Sequence, residues 1–436
     1  MKKKAIINAI VYDYHDFHEH GYVVFDETII EKGSMEDFID RGYEIIDGKD
    51  TMLMPSMIVG HTHVYSTFAR GWLNDFEYND FMDILEGQWW RLDKRLTRDS
   101  IFYSGIVNAV DHLKNGVTTI IDHHASGTIK DSLATLKEAM TDTVGVRGCY
   151  AFETSDRFDV DACIAENRAF MQTKSTMHQG LFGLHASLTL SEETLKKVKA
   201  NLGDAPIHIH VAEDKMDEDD CVEKYGERVI ERLDRHGLLN AGSIITHALY
   251  IDENEADILK KRQCVVALNP GSNMNNGIDV PNYALLRRKG IPVIIGNDGL
   301  SSSVTTEYLN LFFTQHVKEN TPEAFGLDDL ERIIKDTYAY ASDRFGIRLG
   351  KLSPGYEADM LMLPYIPPTP IHKANALGHL FFGAFSSFKP SHVFIGGRQL
   401  VSNYTIDRSA ETLYRQARSR AETVWHTIEK EVGDSK

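Results

Sequence analysis

The pattern of hydrophobic and polar positions divides the chain into three parts. Over residues 1 to about 54, short runs of apolar and β-branched residues, Ala5–Tyr12, Tyr22–Phe25, Thr28–Glu31 and Tyr43–Ile46, are separated by turns containing Gly and Asp. Such runs predict strands, and no helical period of any length interrupts them. From Met54 the texture changes to apolar runs at Met57–His63, Thr118–Asp122, Gly145–Phe152, Phe182–Ser187, Ile207–Ala212, Ser243–Ala248, Cys264–Pro270 and Val293–Asp298. Between them lie stretches with helical spacing: Arg98–Leu113, Leu133–Met140, Glu192–Leu202, Cys221–His236, Glu253–Arg262 and Tyr283–Lys289. Several end near a glycine, as helices do, at Gly116, Gly237 and Gly290. After a further helix over Leu330–Phe345, strands return at Met360–Leu363, His392–Ile395 and Gln399–Ser402, with Pro364–Pro370 as an extended linker among them. A helix over about Ala410–Glu431 closes the chain.

Eight strands alternating with helices predict an α/β fold, a (β/α)8 TIM barrel. A doubly wound open sheet is the alternative, but no Gly-x-Gly-x-x-Gly follows an early strand. The expected organisation is a small β-sandwich domain formed from both chain ends, residues 1–54 and 356–404. It flanks a barrel over 55–355, and a C-terminal helical segment over 405–436 packs on the body.

Composition narrows the partners. With 64 Asp and Glu against 47 Lys and Arg, the net charge of −17 disfavours nucleic acid and anionic membranes, because phosphate contacts need clustered basic residues. The four cysteines, Cys149, Cys163, Cys221 and Cys264, form no Cys-x-x-Cys pair; this argues against a thiolate zinc site or a disulfide framework and suits a reducing cytoplasm. The opening Met1-Lys2-Lys3-Lys4 and its apolar run lack a small-residue cleavage site and read as a first strand rather than a signal peptide. No uninterrupted apolar stretch is long enough for a transmembrane helix. A small-molecule substrate is the expected partner, together with self-association into a homo-oligomer, dimer or tetramer.

The candidate chemistry lies at strand ends. His61 and His63 close the first barrel strand, and side chains at i and i+2 share a face, so the pair can act as a metal clamp. Taken alone, His-x-His is more often two polar residues at a strand end. However, the fifth strand brings His208, His210 and Glu213, the sixth ends in Thr246-His247, and the eighth in Gly296-Asn297-Asp298-Gly299. Barrel active sites sit at the carboxyl ends of the strands, so four strands deliver His or Asp to one rim. By contrast, His15, His18 and His20 read as a solvated hairpin tip.

These residues give the chain its resemblance to the amidohydrolase superfamily. The matching features are Met-Pro-x-Met-Ile before His61-Thr62-His63, the His-x-His-x-x-Glu of His208 to Glu213, Thr246-His247, Ser272 to Asn276, and Asn297-Asp298-Gly299. Gly355-Tyr356-Glu357-Ala358-Asp359 and Gly396-Gly397-Arg398 look like the second half of the family's split β-sandwich. No lysine lies on the fourth strand, so the resemblance points to the single-metal deaminase branch. Within it, the runs Trp89–Asp93, Ile121–Ser126, Phe152–Arg157 and Ser272–Asn276 look like the SsnA group of aminohydrolases.

The resemblance implies that His61, His63, His210 and Asp298 bind one divalent ion, Zn²⁺ by preference with Fe²⁺ or Mn²⁺ possible. Such an ion lowers the pKa of water from about 15.7 towards neutrality. Asp298 would take a proton from that water as it attacks an amidine-like ring carbon. Glu213 would protonate the adjacent ring nitrogen, and His247 would stabilise the developing oxygen charge. Together these describe hydrolytic deamination of a small purine- or pyrimidine-like heterocycle, with release of ammonia. The alternatives are a ring-opening cyclic amide hydrolase, or other leaving-group hydrolase, on the same site, and a metal-binding protein without catalysis. His185, His123, His124, Arg70, Trp72 and Asn273 are the candidate substrate contacts. His208 is expected to pack behind the ligands, and Trp89-Trp90 to belong to the core. Ser56, Asn297 and Gly271 depart from the family's usual Gly, Thr and Arg. The cytidine-deaminase zinc signature is absent.

Overall fold

The computed structural model describes residues 2–74 and 76–434. Met1 and residues 435–436, the last of the expected 405–436 segment, lie outside that range. Eight parallel strands carry the central part: β1 (Met57–Thr62), β2 (Val117–His124), β3 (Arg147–Phe152), β4 (Phe182–Ala186), β5 (Ile207–Val211), β6 (Ile244–His247), β7 (Val265–Leu268) and β8 (Val293–Ile295). Every residue of these strands is buried, as expected of parallel strands with helices packed on them. They form two parallel sheets, β1-β2-β3 with the short strand His178–Gly180, and β4-β5-β6-β7-β8. A parallel bridge between Thr154 and Leu184 links the end of β3 to β4.

Two glycines bring β1 and β8 together. A Cβ on Gly60 would lie 2.8 Å from Ile294 Cδ1 and 2.9 Å from the Ile295 carbonyl oxygen, and one on Gly296 would lie 2.7 Å from the His61 carbonyl oxygen. Because both lack a Cβ, the Asn297 N–H reaches the His61 carbonyl at 3.0 Å, which places His61 beside Asp298. Gly60→Ala is therefore expected to cost about 1–3 kcal/mol through overpacking, read as a lower urea midpoint with an unchanged slope.

Strands from both chain ends join in one nine-stranded sheet. Met360–Pro364 runs antiparallel to Thr51–Pro55, with Met360 opposite Pro55 and Leu361 opposite Met54. Arg147, buried at the start of β3, ties this sheet to the parallel strands. It donates to Asp359 from Nε (2.8 Å) and Nη2 (3.1 Å), and to Glu357 from Nη2 (2.6 Å). The long helix Arg408–Asp434 packs on helix Arg98–Lys114, and its Trp425 indole N–H donates to the Phe68 carbonyl (2.6 Å). No helix among the described residues is long and apolar enough to cross a membrane. All four cysteines are buried and free.

Two local expectations are corrected, and three helices were not foreseen. The stretch Cys221–His236 is two helices, Lys215–Tyr225 and Val229–Arg235, because Gly226 at φ +71° closes the first. His18 and His20 lie within the strand Phe17–Phe25, with His18 opposite Val11, rather than at a hairpin tip. Helices Val160–Met171, Val304–Glu319 and Ala376–Gly383 were not legible in the pattern. Val304–Glu319 is rich in β-branched and aromatic residues of low helix propensity, and burial of Tyr308, Leu311 and Phe312 decides its form.

Candidate active site

The carboxyl ends of β1, β5, β6 and β8 bring their polar side chains to one place. His61 Nε2 lies 3.1 Å from Asp298 Oδ1, and His63 Nε2 lies 3.2 Å from the same oxygen and 3.1 Å from His210 Nε2. Ligand atoms of His61, His63, His210 and Asp298 all lie within 4.8 Å of one another. Backbone geometry at these strand ends is unusual: Ala212, His247 and Asp298 adopt positive φ (47°, 72° and 56°). Non-glycine residues pay for that conformation, and each case sits beside or within the cluster.

The donor set calls for a cation. His63 Nδ1 donates to the His123 carbonyl (2.7 Å) and His210 Nδ1 to the His185 carbonyl (2.9 Å). A carbonyl can only accept, so when these imidazoles are neutral both Nε2 atoms carry lone pairs, facing each other and a carboxylate oxygen. Positive charge at that point, a proton on His63 or a bound cation, makes the arrangement favourable. Burial lowers His61 to about 4 and pushes His210 well below the usual imidazole range. His63 is instead raised to about 9, because Asp298, Glu153 and Asp122 outweigh its burial. Three imidazoles and one carboxylate fit Zn²⁺. A second overlapping set, His63, His123, Glu153 and His210, also converges. Its two shared imidazoles have already spent Nδ1 on carbonyls, so both sets draw on the same lone pairs and together could hold one ion.

The next layer holds these ligands. His61 Nδ1 shares a hydrogen bond with His208 Nε2 (2.8 Å), and His208 is fully buried; this histidine packs behind a ligand. The Ser272 hydroxyl donates to Asp298 Oδ2 (2.5 Å). Asn297 donates to His112 Nε2 (3.0 Å) and to the Ser301 carbonyl, which seats the turn before Asp298. At Gly271 the backbone N–H donates to buried Glu307 Oε2 (2.7 Å), and a Cβ there would lie 2.5 Å from Glu307 Oε1.

Glu213, His247 and Asp298 form a further converging group. His247 Nε2 lies 3.4 Å from Glu213 Oε2 and 4.0 Å from Asp298 Oδ1. The Asn273 amide nitrogen donates to His247 Nδ1 (3.0 Å), so the imidazole proton sits on Nε2, a buried donor with no other partner. Burial lowers His247 to about 3, so it stays neutral. The two carboxyls are pushed apart. Burial and the neighbouring Asp298 raise Glu213 well above its usual range. Burial would also raise Asp298, but hydrogen bonds from His61 and His63 hold it well below. Such a split is how paired carboxyls divide acid and base roles.

The cluster opens into a pocket lined by polar and aromatic side chains, among them Tyr65, Trp89, Trp90 and Arg157, the kind of lining that small-molecule sites have. Of the sequence candidates, His185 lines it, together with Glu213, His210, His63 and Asp298. His123 is buried and stacked on His208 at 4.4 Å, and His124 is buried against Phe152. Asn273 stands behind His247. Arg70 is largely exposed and pairs with Asp111 at 2.9 Å, and Trp72 packs against the core; neither lines the pocket. Sequence reasoning missed Tyr65, Asp93, Glu153 and Arg157, and it assigned Trp90 to the core, yet all five line the pocket. Glu153 follows β3 directly, so the strand-end logic applied to the other strands would have found it.

The model of the amidohydrolase family matches residues 52–400. The chain is 28% identical over 408 residues to a 5'-deoxyadenosine deaminase from Methanopyrus kandleri, covering 90% of each chain. It is 28% identical to a 5-methylthioadenosine/S-adenosylhomocysteine deaminase from Syntrophomonas wolfei, covering 89% of this chain and 91% of the relative. Its fold superposes on the structure of an adenosine deaminase from Xanthomonas campestris with bound zinc, with a TM-score of 0.82 at 20% identity over 97% of this chain and 99% of the other. With the family model spanning most of its length and both parallel sheets, this chain belongs to the amidohydrolase family.

Proposed function

We propose that the protein is a zinc-dependent aminohydrolase that deaminates a small purine-like heterocycle. The observation that carries this reading is Glu213, His247 and Asp298 converging beside the His61, His63 and His210 imidazoles in one pocket. The relatives named as deaminases of adenosine-type compounds support it. His61, His63, His210 and Asp298 would hold the ion, whose contribution when bound is to make water acidic enough to act as a nucleophile near neutral pH.

The chain's own groups then supply proton transfer. Water adds at the ring carbon bearing the amino group, and Asp298, kept ionised by its imidazole neighbours, accepts its proton. Glu213, kept protonated by burial, donates to the adjacent ring nitrogen and collects the proton from Asp298 in turn. The Nε2–H of His247, aimed by Asn273, donates to the oxygen as charge develops on it. The adduct's remaining O–H proton passes through the vacated Asp298 carboxylate to the amine, and the carbon–nitrogen bond breaks to give ammonia and an oxo ring. We further propose that the eight parallel strands close a (β/α)8 barrel over residues 55–355, with residues 1–54 and 356–404 as a composite β-sandwich.

The test is an ammonia-release screen of zinc-loaded protein over purines, pyrimidines, pterins and their nucleosides. Turnover of at least one aminated ring with stoichiometric ammonia is expected. Ring opening without ammonia would favour a cyclic amide hydrolase instead.

A further inference from the structure

A second group of polar side chains in the same pocket lies outside the His61, His63, His210 and Asp298 set. Arg157, in the segment after β3, donates from Nη2 to both oxygens of buried Asp93 (2.8 and 2.6 Å), and its guanidinium lies 4.3 Å over the Trp90 ring. Its Nε and Nη1 are buried without a hydrogen-bond partner. A guanidinium only donates, and leaving a buried charged donor unmatched is costly, so these atoms are poised for an acceptor that the chain does not provide.

The acceptors nearby are complementary. Glu153 is buried, and the imidazole nitrogens around it stand at 3.4, 3.5 and 3.8 Å, long for hydrogen bonds. The Thr189 hydroxyl spends its proton on the Ala186 carbonyl (3.0 Å), so it accepts from His185 Nδ1 (2.8 Å). His185 Nε2 is therefore a lone-pair acceptor. One wall of the pocket thus offers spare donors on Arg157 and spare acceptors on Glu153 and His185.

We propose that this wall reads a lactam edge, with the ring carbonyl received by Arg157 and the adjoining ring N–H by Glu153 or His185. The ring would then carry an oxo group beside an N–H as well as the amino group it loses. It would be an amino-oxo purine or pyrimidine rather than a 6-aminopurine nucleoside. This rests on deamination at the Glu213–Asp298 end of the pocket.

The test compares guanine and isocytosine, which have a lactam edge, with adenine and 5'-deoxyadenosine, which have none. Binding is measured calorimetrically on zinc-loaded Glu213→Gln protein, and ammonia release on the unaltered protein. The lactam rings are expected to bind at least about 100-fold tighter, since a site built to hydrogen-bond a group rejects analogues lacking it. Arg157→Lys, which preserves the charge facing Asp93 but not the fork, should erase at least tenfold of that preference. Should that variant fail to fold, Glu153→Gln keeps the shape and should likewise weaken lactam binding selectively. Equal binding of both sets, preference for the amino-only rings, or binding of none would overturn the proposal. Lactam preference without ammonia would leave this subsite standing and remove the deamination reading. Deamination of 5'-deoxyadenosine without lactam preference would do the reverse.

Discussion

Glu213→Gln should lower kcat by about 10²- to 10⁴-fold, the span removed with a general acid–base group, while bound zinc stays at one equivalent per chain. The two effects separate because of where Glu213 sits. It contacts His247 Nε2 at 3.4 Å and lines the pocket, yet it does not belong to the four-ligand group around Asp298 Oδ1. Glutamine keeps the shape and can hydrogen-bond a ring nitrogen, but it has no acid proton to pass on. KM should therefore change much less than kcat. Near-normal turnover, or loss of the metal with the activity, would remove Glu213 from the proton-transfer role.

The second large effect is expected at Asp298. Asp298→Asn should reduce metal content well below one equivalent and abolish detectable turnover, exceeding the roughly 10- to 100-fold affinity loss that follows removal of a partner behind a ligand. Asparagine can still meet the Ser272 hydroxyl, which approaches Oδ2 at 2.5 Å. It loses the negative charge that faces His61 Nε2 at 3.1 Å and His63 Nε2 at 3.2 Å. Ser272→Ala supplies the contrast: it removes only the support, and metal affinity should fall within the smaller range. A metal content near two in the unaltered protein would mean that the overlapping His123–Glu153 set is filled independently.

How far the sequence reaches is clear from particular residues. The convergence of His61, His63, His210 and Asp298 was legible because parallel strands have a fixed period and a common direction, so residues at their ends must share a rim. The strand boundaries were legible to within a few residues for the same reason. Val304–Glu319 was not, because its composition opposes a helix and only burial of Tyr308, Leu311 and Phe312 makes one. Nor was the wall formed by Asp93, Trp90 and Arg157. Asp93 and Arg157 stand 64 residues apart, and their meeting depends on how the segment after β1 folds back over the pocket. Arg70 and Trp72, chosen because they follow the first strand, face Asp111 and the core instead. Spacing does not determine the path of a loop, whereas strand parity does determine which way a strand-end residue points.

The most direct measurement is the oxygen and nitrogen balance of the reaction in ¹⁸O-labelled water with zinc-loaded protein and a ring that turns over. One ammonia released per ring consumed, with one solvent oxygen on the carbon that carried the amino group, is the expected result. A product that retains its amino nitrogen, or a ring opened without ammonia, would contradict hydrolytic deamination.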